Sequence, residues 1–181
     1  MPDLIRHPSS LNGAEEGGPR IKSGVTGAGR WATPAAMLVD FYHLAASPLE
    51  RVLPSICEKI VAKGERLLVV ADGELLARLD AQLWSYSREA FLPHGPSDQP
   101  RAEDQPVLLA TDVDPRNRAT NIALADGQWR DDALAFARTF YFFDNSHLDT
   151  ARGSWRALKG REGVECRYWK QDERGKWVQG P

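Results

Sequence analysis

Two cysteines in 181 residues, Cys57 and Cys166, are too few and too far apart for a disulfide framework, and neither belongs to a CxxC or Cys/His cluster. That excludes a thiolate metal site of the usual spacing and predicts a pair of buried, reduced thiols suited to a reducing cytoplasm. No segment reaches the roughly 18 apolar residues of a membrane span, and the N-terminus lacks the apolar centre of a signal peptide. The expectation is a soluble, cytoplasmic protein with no membrane partner. Glycine-rich phosphate loops are missing too. Where predicted strands run into predicted helices the sequence reads Ala45-Ala46-Ser47-Pro48 and Asp72-Gly73-Glu74, neither GxGxxG nor GxxxxGKS.

An excess of one charge is also absent overall, since the formal net charge is -2, but the charges are segregated. Residues 150–181 hold eight Lys/Arg against four Asp/Glu, and residues 1–36 hold four against three, leaving eleven against eighteen in the middle. A body of net -7 repels phosphate, which argues against general polyanion binding. The basic end suits a local anionic partner better.

Hydropathy patterning divides the chain at residue 36. Residues 1–36 carry Gly17-Gly18-Pro19, Ser23-Gly24 and Gly27-Ala28-Gly29 without any apolar period, the composition of a disordered extension or of a misassigned upstream start. Residues 37–181 form the expected domain, with Met37 a plausible true start. A strand is predicted from Met37 to Leu44. A helix follows from Ser47, which is placed to cap it, with Leu49, Val52, Leu53, Ile56, Ile60 and Val61 at helical spacing and Pro54 marking a kink or the real start. Lys63-Gly64 closes it. Arg66 to Ala71 is a continuous apolar run, as in a strand buried on both faces, and Glu74 to Trp84 is a second helix with Leu75, Leu76, Leu79 and Leu83 inside. Further strands are predicted at Ala90-Phe91-Leu92, Val107 to Ala110, Asn121 to Ala125, Thr139 to Phe143 and Val164 to Trp169, with a surface loop from Gly95 to Gln105 and a weak helix at Asp131 to Ala137. This alternation predicts one α/β domain built on parallel strands.

The chemistry-bearing candidates are few. His94, with Asp80 or Asp112 to orient it, has no paired nucleophile and is expected to be a hydrogen-bonding loop residue. Asp112 and Asp114 start like a calcium loop, but Pro115-Arg116-Asn117-Arg118 puts cations where ligands should follow. No catalytic residue, metal or cofactor is expected. The helix predicted from Leu148 to Lys159 is different, because Arg152, Arg156 and Lys159 fall at i, i+4 and i+7 with Trp155 beside them. A tryptophan within a cationic face fits an acidic peptide with an apolar tip. Trp84 and Phe91, by spacing alone, belong to the core.

These residues resemble a known family. Leu38 to Leu44, Gly64 to Val69, and above all Leu79-Asp80-Ala81-Gln82-Leu83-Trp84 followed by Phe91-Leu92-Pro93-His94 are similar to the chi subunit of bacterial DNA polymerase III. The likeness continues through Ala151-Arg152, Trp155-Arg156-Ala157, Tyr168-Trp169 and Lys176-Trp177, so it covers residue 37 to about residue 178. It implies a Rossmann-like three-layer α/β fold with a mostly parallel central sheet, helices on both faces and no nucleotide-binding motif. The implied function is that of a non-catalytic accessory subunit linking the clamp loader, through the psi subunit, to the C-terminal tail of single-stranded DNA-binding protein, and reaching DNA only indirectly. By position, Arg152, Trp155 and Arg156 would hold that tail, with Lys159 added from helical spacing. Trp84 and Phe91 would face psi or a helicase-like alternative partner. Gly153-Ser154 stands where the family usually has a charged pair, and Leu148 where it often has a lysine. The competing expectation is a small nucleotide-dependent α/β enzyme.

Overall fold

In a computed structural model, residues 36–87, 91–172 and 175–180 are described. Their order is β1 (Met37–His43), α1 (Leu49–Ala62), β2 (Leu67–Val70), α2 (Gly73–Ser85), β3 (His94–Pro96), β4 (Val107–Ala110), β5 (Asn121–Leu124), β6 (Arg138–Phe143), α3 (Leu148–Leu158), β7 (Val164–Gln171) and β8 (Trp177–Gln179). Single 3-10 turns cover Ala102–Asp104, Asp131–Ala135 and Asn145–His147. The predicted extension of residues 1–36 lies outside the described residues except for its last position.

All eight strands join one sheet in the order β3-β4-β2-β5-β6-β1-β7-β8, parallel throughout except for the antiparallel β7–β8 pair. Alternation along β2 explains the layers. Leu67 and Val69 face a core shared with Leu53, Ile56, Leu79 and Leu83 of α1 and α2, whereas Leu68 and Val70 face one shared with Ala151 and Leu158 of α3. Helices therefore cover both faces, and β2 is buried along its whole length, as its unbroken apolar run requires. The fold is Rossmann-like α/β.

Local chemistry sets the ends. Gly64 takes φ +72° just past α1, where a side chain would be strained. Ser47 does not cap α1; Pro48 occupies that position, and the Ser47 hydroxyl instead accepts from Gln171 Nε2 at 3.1 Å. Pro54 lies inside the helix, which continues through it. Asp72 caps α2 by accepting the Leu75 N–H at 2.9 Å.

The expected strand at Ala90-Phe91-Leu92 does not form. Phe91 and Leu92 lie outside any strand, Ala90 is outside the described residues, and the third strand starts after Pro93, at His94. Pro93 has no N–H for a ladder, while Pro96 is tolerated because β3 is an edge strand. The predicted loop thus begins two residues late. β8 is an added edge strand. Asp131–Ala135 forms a 3-10 turn where a weak helix was expected.

One buried charge crosses the sheet. Asp40, fully buried on β1, accepts from Arg138 on β6 at 2.6 Å and from Trp169 Nε1 on β7 at 2.7 Å. Each carboxylate oxygen is thereby engaged, as a buried ion demands.

Candidate functional site

The 3-10 turn Asn145–His147 that leads into α3 is capped by Asp144, whereas α3 itself, with His147 at its N-cap position, has no side-chain cap. Asp144 accepts from the Ser146 hydroxyl at 2.6 Å and from the Ser146 N–H at 2.9 Å, with His147 Nδ1 also 2.9 Å away. The Ser146 hydroxyl first, then His147, hold the Asp144 carboxyl down at about 2. From there the helix runs without interruption across Gly153, whose absent Cβ leaves open space. Ala151 and Leu158 are buried, and the remaining surface carries the cations.

Trp155 is half-buried, its ring 5.1 Å from that of buried Phe41 in an edge-on contact at 77°. The indole is anchored on one side and open on the other. Lys159 has left the helix, with ψ 115°, yet its N–H still reaches the Trp155 carbonyl at 2.8 Å and its Nζ lies 5.8 Å from the indole centroid. The expected helical end at Lys159 is one residue too long, but the cation is on the expected face. Arg152 is 60% exposed and bound to Asp149 at 3.3 Å. Arg156 is exposed and has no ion pair among the described residues. Along β7, burial raises the Tyr168 hydroxyl and the Cys166 thiol, and the charges of Arg152 and Lys159 respectively pull them back down. The two cations therefore line the β7 side of α3. By helical spacing Arg152, Trp155 and Arg156 share one side of α3, and Lys159 lies beside the indole just past its end.

The second candidate pair is not in the core. Trp84 is 61% exposed and Phe91 75% exposed, with ring centroids 6.1 Å apart. Spacing misled because the buried stripe of α2 is Leu79 and Leu83, and Trp84 lies about 100° round the helix from Leu83. Beside Phe91 is a hollow of about 170 Å³ between the C-terminal ends of α1 and α2, lined by Glu58, Val61, Ala62, Tyr86 and Leu92. Among the described residues, these are the two large apolar side chains classed as exposed.

His94 is buried at the start of β3 rather than in a loop. Its Nδ1 donates to the Leu92 carbonyl at 2.7 Å, its ring lies 4.9 Å from that of Trp84, and Nε2 is 3.4 Å from Asp80 Oδ1. Cys57 is buried, which pushes its thiol up to about 12, but Cys166 is only half-buried, so the expected buried pair holds for one of the two. Among the described residues no group of His, Cys, Asp and Glu is placed to hold a metal ion.

Sequence reasoning missed the crevice at the carboxyl ends of β1, β2, β5 and β6, about 510 Å³ in volume. A Rossmann-like fold usually binds its ligands there. Here Glu50, Asp72, Asp126 and Asp144 line it against Arg78 and His147. Arg130 pairs with Asp126 at 2.6 Å and Arg78 with Glu50 at 3.7 Å, which leaves Asp72 and Asp144 to oppose a nucleotide's phosphates.

Comparison with known proteins decides the family. The family model "DNA polymerase III chi subunit, HolC" matches residues 37–166, well over half of the chain. The chain belongs to the DNA polymerase III chi subunit family. A curated relative, "Probable DNA polymerase III subunit chi" of Rickettsia prowazekii (strain Madrid E), is 23% identical over 86 residues, which are 47% of this chain and 52% of the relative. The chain thus spans about half the length of the curated relative it matches. A solved structure, "Structure of the C-terminal domain of the DEAD-box protein Dbp5", aligns with a TM-score of 0.50 and 15% identity over 75% of this chain and 91% of that one. That likeness shows the α/β fold alone. No helix among the described residues is long and apolar enough to cross a membrane.

Proposed function

We propose that this chi-family chain is a non-catalytic, cytoplasmic adaptor of the polymerase III holoenzyme, with residues 37–181 as its working domain. On this proposal the α3 face takes the acidic C-terminal tail of single-stranded DNA-binding protein. Arg152 and Arg156 pair with its carboxylates, Trp155 covers its apolar tip, and Lys159 adds charge beside the indole. Trp84 and Phe91 take the psi subunit or a helicase-like alternative, and DNA is reached through the tail-bearing partner. The observation that carries the proposal is the half-open Trp155 indole flanked by three cations, two of them without an ion pair among the described residues. The acidic crevice favours it over a nucleotide-dependent enzyme.

The test is a peptide of acidic residues ending in Asp-Ile-Pro-Phe, titrated against the full chain. Binding of about micromolar strength is expected, weakening as salt is raised. Trp155→Ala should lose it and Phe91→Ala should keep it, while Phe91→Ala should lose the partner subunit that co-purifies with the wild type. A peptide bound equally by wild type and Trp155→Ala refutes the tail site. Equal loss of both partners in Phe91→Ala refutes the two-face arrangement.

A further inference from the structure

A buried polar atom without a partner needs an explanation, and His94 Nε2 is one. The ring proton is committed to Nδ1, because the atom 2.7 Å from it is a carbonyl oxygen, Leu92 O, which only accepts. In the neutral ring Nε2 is then a bare lone pair, shut away from solvent and facing another acceptor, the Asp80 carboxylate, at 3.4 Å. Two acceptors converge there with no hydrogen between them.

Around that contact are the residues of the partner face. Asp80 and Trp84 stand one helical turn apart on α2, both against the His94 ring. The Nδ1 bond closes the chain at Leu92, immediately after exposed Phe91. On the other side, β4 pairs Val107 with His94 and brings no charge. Among the described residues Asp80 is the ionic group within ion-pair distance of the ring.

We propose that His94 is the positioning residue of the Trp84–Phe91 face, and that Asp80 acts on that face through it. A proton taken from water onto Nε2 converts the ring to an imidazolium, leaves the Nδ1–H on the Leu92 carbonyl, and gives Asp80 the hydrogen that the contact lacks. The same charge then sits 4.9 Å from the Trp84 ring, where a cation is attracted to the π face. Loss of the proton sets Nε2 and the carboxylate against each other and loosens the support under Trp84. The inference rests on the proposal that Trp84 and Phe91 form a docking face, but its mechanism lies within this chain.

The experiment uses the full chain labelled with 5-fluorotryptophan, the Trp84 fluorine resonance being assigned by its loss in Trp84→Phe. As pH is lowered, the Trp84 resonance is expected to follow a one-proton sigmoid. It should be flat in His94→Gln, which keeps a donor for Leu92 but takes up no proton, and displaced in Asp80→Asn. A Trp84 resonance that does not move with pH in the wild type overturns the inference and needs no variant to do so. A sigmoid that persists in His94→Gln also overturns it. Failure of the docking proposal reads out separately, as partner capture unchanged by Trp84→Ala.

Discussion

Arg152 and Asp149 offer the sharpest test of the tail face, because the structure predicts effects of opposite sign. Arg152 is already engaged by Asp149 at 3.3 Å, one turn earlier on the same helix, and the two side chains are 60% and 97% exposed. A charge-assisted bond to the incoming tail would contribute about 1.5–3 kcal/mol in a protected setting. Exposure and the loss of the Asp149 contact reduce that, since surface pairs are worth about 0.2–1 kcal/mol. Arg152→Ala should therefore weaken the tail peptide by about 1 kcal/mol, roughly fivefold in Kd. Asp149→Ala should strengthen it, by about 0.2–1 kcal/mol, because it removes both a competitor for Arg152 and a repulsive charge. In the Arg152→Ala background the Asp149→Ala gain should shrink toward its repulsive part, and the difference between backgrounds measures the coupling. Isothermal titration of the four proteins with one peptide at fixed salt gives all the terms. Weaker binding in Asp149→Ala would refute the placement of the tail along this part of α3.

Other substitutions test the frame that carries this face. Gly153→Ala should stabilise the domain by about 0.5–1 kcal/mol, or about 1–4 °C in thermal unfolding, since the added Cβ meets nothing within 4 Å; a lower melting temperature would show that Gly153 is needed for some contact. Asp40→Asn should cost about 3 kcal/mol in urea unfolding, because Arg138 loses the counter-charge that also holds Trp169, and a loss under about 1 kcal/mol would contradict that network. The Asp144 carboxyl lies at about 2 against an ordinary 3.8, so its support for the turn that leads into α3 is complete above about pH 4 and is lost as pH falls through 2. Stability curves of wild type and Asp144→Ala should converge at that acid end, and parallel curves would refute the cap.

Much of the fold was legible because apolar period and burial coincide. The continuous run at β2 reads as a strand buried on both faces and is one, and Gly64 falls where a left-handed residue is needed. The misses have local causes. Phe91 and Leu92 have strand-like composition, but Pro93 interrupts the ladder, so pairing starts at His94. Ser47 has capping chemistry but is drawn instead to Gln171, 124 positions away, which no local window registers. The α3 face was legible because its residues recur at helical spacing. Trp84 was misplaced for the reason that makes it interesting: one residue beyond Leu83 is enough to turn a large apolar side chain from core to solvent, and only its likeness to family positions marked it as a surface group. The acidic crevice had no signal at all, since its carboxylates come from the first turn of α1 and from the ends of β2, β5 and β6.

The layers of the sheet determine whether the two faces can work together. Leu79 and Leu83 tie α2 to the core on one side of the sheet, and Ala151 and Leu158 tie α3 to the core on the other. A partner covering Trp84 and Phe91 therefore approaches from the side opposite to a tail covering Trp155, with the full thickness of the sheet between them. Their charges are also kept apart, because the cations of α3 are screened within about 10 Å at ordinary salt. The two binding events should then be independent. The tail peptide should show the same Kd for the isolated chain as for the chain loaded with its co-purified partner, within about the 0.3–0.5 kcal/mol expected of uncoupled sites. Displacement of the partner by excess peptide would mean that both compete for one surface, and an adaptor built on opposite sides of the sheet would have to be abandoned.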